Sequence, residues 1–149
     1  MAEVRFYHLT RTSLDRALPQ MLEKTLERGQ RAVVRASSEE RVEALATGLW
    51  TYNDRSFLPH GSLKDGRGER QPIWLTTQPD APNGAEVLFL TDGSSTENLE
   101  GFALCAILFD GHDEEAVTAA RGQWSGLKEA GHEVTYWQQD DAGRWSQKA

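Results

Sequence analysis

Apolar and polar residues alternate along the chain between short strand-like runs and longer stripes with helical spacing. Val4 to Leu9 and Arg31 to Ala36 are runs of strand-forming residues, and each is followed by a stripe of apolar positions three and four residues apart. Rapid alternation of strand and helix favours right-handed crossovers between neighbouring parallel strands. The pattern therefore predicts an α/β domain built on a mostly parallel sheet.

The first two predicted helices have recognisable ends. The first ends at Gly29 and tolerates Pro19 near its first turn, where a missing N–H is harmless. Ser37 and Glu40 have the capping-box spacing and are predicted to begin the second helix. The apolar stripes of the two helices consist of Leu18, Met21, Leu22 and Leu26, and of Val42, Leu45, Ala46 and Leu49.

A long irregular stretch separates the second helix from the later strands. It follows Trp50; its first half is predicted to be ordered, and the charged, glycine-containing tract from Gly61 to Gln71 to be a flexible loop. Ser95 is a possible start of a short helix, and WQQDDAGRW near the C-terminus is hairpin-like. The later predicted strands are Ile73 to Thr76, Glu86 to Thr91, Leu104 to Asp110 and Val134 to Gln138.

The stretch from Asp113 to Gly131 predicts a helix with two different faces. At 100° per residue, Arg121, Trp124 and Lys128 gather on one side. The apolar residues that gather on the other are Ala116, Ala119, Ala120, Leu127 and Ala130. Side chains three and four residues apart on a helix reach the same ligand. An aromatic ring between two cations suits an anionic peptide. The alternative is that Trp124 packs into the core while the cations extend over apolar surface.

Composition and charge narrow the class of protein. The 149 residues fit one domain, 1–149, and the single cysteine, Cys105, lies in an apolar run, as expected of a buried thiol in a reducing cytosol. Neither a signal peptide nor a membrane span is expected. The formal net charge is −7, although residues 1–36 hold seven basic against four acidic side chains. The overall field disfavours direct, non-specific binding to duplex DNA.

Motifs for catalysis and cofactors are not recognisable. Gly66 and Gly68 lack the spacing of a phosphate-binding loop, and no GxGxxG follows the first strand. The acidic cluster around His112 is conceivable as a hard-cation site, but helix capping accounts for it more simply. No catalytic residue, cofactor or metal is therefore predicted. A small α/β hydrolase or a nucleotide-dependent enzyme is kept as the alternative, because a catalytic group can assemble from distant positions.

Several stretches together resemble one family, the chi subunit of bacterial DNA polymerase III. They are the opening FYHL, the stretch ALATGLWTYNDRSFLPHG with Phe57 seven residues past Trp50, and the C-terminal AARGQWSGLKEAGHEV. The resemblance implies a Rossmann-like three-layer sandwich, with a mostly parallel central sheet and helices on both faces. It also implies a cytoplasmic, non-catalytic accessory subunit of the clamp-loader complex, monomeric within the larger assembly and with no direct contact to nucleic acid or membrane.

The same resemblance implies two binding surfaces. Arg121 and Trp124, helped by Lys128, match the site for the acidic C-terminal tail of single-stranded DNA-binding protein. Basic residues of that site in the family correspond here to Val117 and Ser125. The surface for the psi subunit, or another clamp-loader component, matches Trp50, Phe57, Leu58, Pro59 and His60.

Overall fold

A computed structural model describes residues 3–52, 58–62, 64–79, 81–94, 99, 101–142 and 144–149. In these residues the chain forms eight strands and three α-helices, which confirms the predicted α/β class with a mostly parallel sheet. The strands are β1 (Glu3–Leu9), β2 (Ala32–Arg35), β3 (Gly61–Ser62), β4 (Ile73–Thr76), β5 (Val87–Leu90), β6 (Leu104–Asp110), β7 (Glu133–Gln139) and β8 (Trp145–Gln147). The helices are α1 (Leu14–Glu27), α2 (Glu39–Thr51) and α3 (Glu114–Glu129).

The strands form one sheet in the order β3-β4-β2-β5-β6-β1-β7-β8. Every neighbouring pair is parallel except β7 and β8, which are antiparallel. The C-terminal stretch predicted to be hairpin-like therefore forms the antiparallel pair of β7 and β8, and β8 is an edge strand of the sheet. The central strands β2, β4 and β5 are buried throughout, as expected where both faces of a parallel sheet are covered.

Alternation along the strands divides the core between the two faces of the sheet. In β1, Val4 and Phe6 belong to a cluster that contains Ala120 and Leu127 of α3. Leu9 belongs to the other cluster, which contains the apolar stripes of α1 and α2. Hence α1 and α2 cover one face, and α3 packs on the other against β6 and β7.

Two details at the helices differ from the sequence prediction. Ser38, not Ser37, is the N-cap of α2, and its hydroxyl accepts a hydrogen bond from the Arg41 N–H at 3.2 Å. Pro19 lies in the second turn of α1 rather than the first. Pro19 is tolerated there as a buried residue in a helix that packs firmly on the sheet, although it removes one backbone hydrogen bond.

The tract predicted as a flexible loop contains regular structure. Gly61–Ser62 pairs in parallel with β4, and a single 3₁₀ turn covers Gly68–Arg70. Gly68 is buried, and a Cβ there would lie 2.7 Å from a Pro82 carbon, so only glycine fits against that ring. Tertiary packing therefore orders Gly61–Ser62 and Gly68–Arg70 within this tract despite its polar composition. The short helix predicted to start at Ser95 lies outside the described residues.

None of the helices in the described part of the chain combines the length and the apolarity that a membrane crossing needs.

Candidate functional site

Helix α3 presents Arg121 and Trp124 at one groove, whereas the predicted Lys128 contacts the Trp124 ring without lining that groove. Asp113 begins the helix, because its carboxylate accepts hydrogen bonds from the N–H groups of Glu115 at 3.0 Å and Ala116 at 3.3 Å. Ala120 and Leu127 are buried against the sheet. Ala119 and Ala130, predicted to share that face, are exposed instead. The inward stripe is consequently narrower than the sequence indicated.

The groove beside α3, here called the α3 groove, has a volume of about 450 Å³. Its floor and walls are mainly aromatic and apolar, and Arg121 is its only positively charged lining residue among those described. The α3 groove is lined by Phe6, Phe109, Val117, Ala120, Arg121, Trp124, Ser125, Tyr136 and Ala149.

Trp124 serves both the core and the groove. Its ring is half-buried and makes edge-on contacts with Phe6, at 5.6 Å between ring centroids, and with Tyr136, at 6.1 Å. The ammonium of Lys128 lies 5.2 Å from the centre of the Trp124 ring. Core packing and ligand binding were alternatives in the sequence, and this geometry is compatible with both. The packed partners hold the ring in place while one side of it lines the groove.

The polar groups at the groove are electrostatically connected to Arg121. Burial raises the pKa of the Tyr136 hydroxyl, and the positive charge of Arg121 opposes this shift. Burial lowers the pKa of His8; a hydrogen bond with the Gly111 backbone opposes the shift, and the charges of His112 and Arg121 add to it. His8 Nδ1 and the Tyr136 hydroxyl share a hydrogen bond. Near neutral pH these shifts favour a neutral imidazole and a protonated phenol, so Arg121 is the charged side chain among the described residues that line the groove.

Several groove residues were not predicted from the sequence. Phe6, Phe109 and Tyr136 lie on three different strands, and Ala149 reaches the groove because its carbonyl accepts a hydrogen bond from the Tyr136 N–H at 3.1 Å. Period-two alternation along β7 was the one available signal, since it places Tyr136 on the α3 face. Val117 and Ser125 also line the groove. The groove wall is therefore uncharged at these two positions.

The second predicted surface is divided between exposed and buried residues. Trp50 is 55 % exposed and is the only exposed large hydrophobic residue in the described part of the chain. Leu58 and His60 are buried and Pro59 is half-buried. Both ring nitrogens of His60 contact carbonyl oxygens, Nδ1 that of Leu58 at 2.7 Å and Nε2 that of Ala46 at 3.0 Å. Phe57 lies outside the described residues.

His60 positions Trp50 rather than lying on the surface itself. The centroids of the two rings are 4.5 Å apart, and the His60 contact to Ala46 ties the segment to α2, which carries Trp50. Leu58 anchors the same segment in the core below α1 and α2. The surface around Trp50 is therefore an exposed indole on a rigid base.

The other candidate sites have structural explanations. Asp110 accepts a hydrogen bond from the His112 N–H at 2.9 Å, and Asp113 caps α3, so these carboxylates have local partners. No group of three or more metal-ligating side chains occurs within the described residues. Cys105 is fully buried, and burial raises the pKa of its thiol to about 12. It is thus unsuited to act as a nucleophile near neutral pH.

Fold and groove define a small mixed α/β protein whose candidate site is a binding groove. The family model described as "DNA polymerase III chi subunit, HolC" matches residues 1–135. The chain belongs to the DNA polymerase III chi subunit family, as the sequence motifs predicted.

A curated relative agrees with this assignment. The protein of Rickettsia prowazekii (strain Madrid E) described as "Probable DNA polymerase III subunit chi" is 31 % identical over 90 residues. The aligned part is 60 % of this chain and 54 % of the relative, so the chain spans about half the length of the curated relative that it matches.

Proposed function

We propose that this protein is a non-catalytic accessory subunit of the bacterial DNA polymerase III holoenzyme. In this role it works in the cytoplasm and links the clamp-loader complex, through psi or another component, to the C-terminal tail of single-stranded DNA-binding protein. Family membership supports the replication role. Helices on both faces of a mostly parallel sheet also support a Rossmann-like three-layer classification.

The observation that carries the proposed tail site is the α3 groove lined by Trp124 and Arg121, with the ammonium of Lys128 lying over the Trp124 ring. The apolar floor, formed partly by Phe6 and Phe109, accepts an aromatic side chain. The guanidinium of Arg121 at the groove is suited to bind a carboxylate through paired hydrogen bonds. A peptide that ends in an aromatic residue and a free carboxylate satisfies both requirements.

Titration of the purified protein with the acidic tail peptide tests this site. Binding is expected to weaken as salt rises from about 0.05 to 0.5 M, because the Debye length shortens to a few ångströms. Arg121→Ala combined with Trp124→Ala is expected to reduce affinity about tenfold or more, since charge-assisted hydrogen bonds contribute about 1.5 to 3 kcal/mol. Retained affinity in this variant would refute the assignment.

The matched control is Arg16→Ala combined with Trp50→Ala, which removes the same two residue types elsewhere. Arg16 is exposed on α1, and Trp50 is exposed on α2. Tail affinity should be unchanged in this control. Because Trp124 also packs on Phe6, Arg121→Gln alone provides a second variant that leaves the core intact.

The surface around Trp50 is the proposed contact for psi or another clamp-loader component. An exposed indole of this size is a typical interface anchor. Trp50→Ala is expected to abolish binding to psi in a pull-down with purified subunits, while tail binding persists. Leu58→Ala is the contrasting variant: Leu58 is buried, so its truncation should cost about 2 to 5 kcal/mol of stability. Undiminished psi binding by Trp50→Ala would exclude this surface.

A further inference from the structure

A second groove lies on the opposite face of the sheet, between α1 and the edge strands. Helix α1 packs over β2 and β6, whereas β7 and β8 extend beyond it at the sheet edge. The resulting cleft, here called the α1 groove, has a volume of about 510 Å³. Its aromatic residues are Tyr7, Phe89, Trp137 and Trp145, and its cations are Arg5, Lys24, Arg28 and Arg144.

The charge of the α1 groove differs from that of the whole molecule. No Asp or Glu lines it among the described residues, although the chain carries a formal net charge of −7. Arg5 pairs with Glu3 at 3.0 Å. Lys24, Arg28 and Arg144 are exposed and take part in none of the salt bridges found in the described residues. Three of the four cations come from the basic segment 1–36. No cation of the proposed tail site comes from that segment.

The aromatic rings form a partly exposed surface on the sheet. Tyr7 contacts Trp137 in a stacked arrangement at 6.3 Å and Trp145 edge-on at 5.0 Å. The guanidinium of Arg5 lies over the Trp137 ring at 5.6 Å. All three rings are only half-buried. They thus form a connected aromatic platform bordered by cations, with Lys24 and Arg28 on the helix side and Arg144 on the strand side.

We propose that the α1 groove binds single-stranded nucleic acid directly. Bases stack on aromatic side chains without sequence preference, and flanking cations follow the phosphates. A peptide adding to this sheet would form its backbone hydrogen bonds at the outer edge of β8, not on the face that bears the rings. The face therefore favours a strand of bases over an acidic peptide. This proposal departs from the expectation of no direct nucleic-acid contact, which the family resemblance implied.

Fluorescence anisotropy with the full chain and a labelled oligothymidylate of about 12 nucleotides tests the proposal, at a salt concentration of about 20 mM where screening is weak. Saturable binding is expected. The slope of log K against log salt should be about −2, since each neutralised phosphate contributes about −0.7 and three cations of the groove, Lys24, Arg28 and Arg144, take part in none of the salt bridges found in the described residues. Absence of binding at this salt concentration would overturn the proposal.

Charge-reversal variants locate the binding. Lys24→Glu combined with Arg28→Glu should reduce affinity at least tenfold and lower the slope magnitude to about 0.7, because two of the three phosphate contacts are lost. The control, Arg16→Glu combined with Arg70→Glu, changes net charge equally at exposed positions outside the groove and should retain most of the affinity. Equal losses in the two variants would overturn the proposal. If the groove variant is less folded by circular dichroism, Lys24→Gln with Arg28→Gln replaces it.

Two further measurements distinguish oligonucleotide binding at the α1 groove from peptide binding there and from binding at the α3 groove. Binding of an acidic, tryptophan-containing peptide at the α1 groove, with no binding of the oligonucleotide, would overturn the proposal in favour of a peptide site. Arg121→Glu should leave oligonucleotide binding unchanged within twofold. The tail-peptide titration does not depend on oligonucleotide binding, so the proposal for either groove can be refuted without affecting the proposal for the other.

Discussion

At the scale of single residues, Arg121 influences groups that do not touch the proposed ligand. Its charge contributes to the lowered pKa of His8, after the larger effect of burial. His8 shares a hydrogen bond with Tyr136 and lies with its ring centroid 4.9 Å from that of Phe109. The protonation of His8 consequently reports on the charge in the α3 groove.

Arg121→Ala is expected to raise the pKa of His8 towards its ordinary value, because one positive neighbour is removed. An NMR titration of the His8 ring protons measures this shift. The lowered pKa of His8 also makes the free energy of unfolding depend on pH. The stability that neutral His8 contributes is present above pH 6.5 and is lost as pH falls through the folded-state pKa, because the unfolded chain binds the proton more readily. An unchanged His8 titration in Arg121→Ala would show that the two groups are not coupled.

Cys105 provides a second residue-scale prediction. Because burial raises the pKa of its thiol from 9.0 to about 12, the native protein should resist alkylation by iodoacetamide at pH 8. The stability that the neutral thiol contributes is complete below pH 9.0 and is lost as pH rises towards 12. Mass spectrometry should detect rapid alkylation only after addition of urea. Rapid labelling of the folded protein would contradict the buried environment.

At the scale of secondary-structure elements, the N-terminus of α2 distinguishes two adjacent serines. Ser38 accepts the hydrogen bond from the Arg41 N–H, whereas Ser37 is exposed and precedes the cap. Ser38→Ala should lower the free energy of unfolding by about 1 kcal/mol, as is typical for loss of an N-cap. Ser37→Ala is the matched control and should change it by less than about 0.5 kcal/mol. Urea denaturation separates the two, and the reverse order would place the cap at Ser37.

At the scale of the whole molecule, β8 is an addition at the sheet edge. It pairs with β7 alone, and the family match ends at residue 135, before this strand. Trp145 nevertheless packs on Tyr7, and Ala149 reaches the α3 groove. The C-terminal segment 144–149 therefore contributes to both grooves, Trp145 of β8 to the α1 groove and Ala149 after it to the α3 groove.

Deletion of residues 144–149 should leave the domain folded but less stable by about 2 to 4 kcal/mol, since it removes a half-buried tryptophan and its aromatic partner contact. Far-UV circular dichroism and the urea midpoint measure the outcome. Trp145→Ala should account for most of the loss. Complete unfolding of the truncated chain would mean that β8 belongs to the cooperative core.

The sequence by itself determined six of the eight strands, the three helices and the placement of Arg121, Trp124 and Lys128 on one side of α3, because these depend on local periodicity and on capping residues. It also carried the motifs of the chi family. Only the tertiary structure decided which strands lie together and which distant residues share a groove. Phe6, Phe109 and Tyr136 meet Trp124 solely because β1, β6 and β7 are neighbours in the sheet. The order of Gly61–Ser62 and the burial of Gly68 likewise come from contacts with β4 and Pro82, which no local pattern contains. The helix at residues 114–129 was recognisable from its spacing, but its ligand-sized groove exists only where that helix meets the sheet.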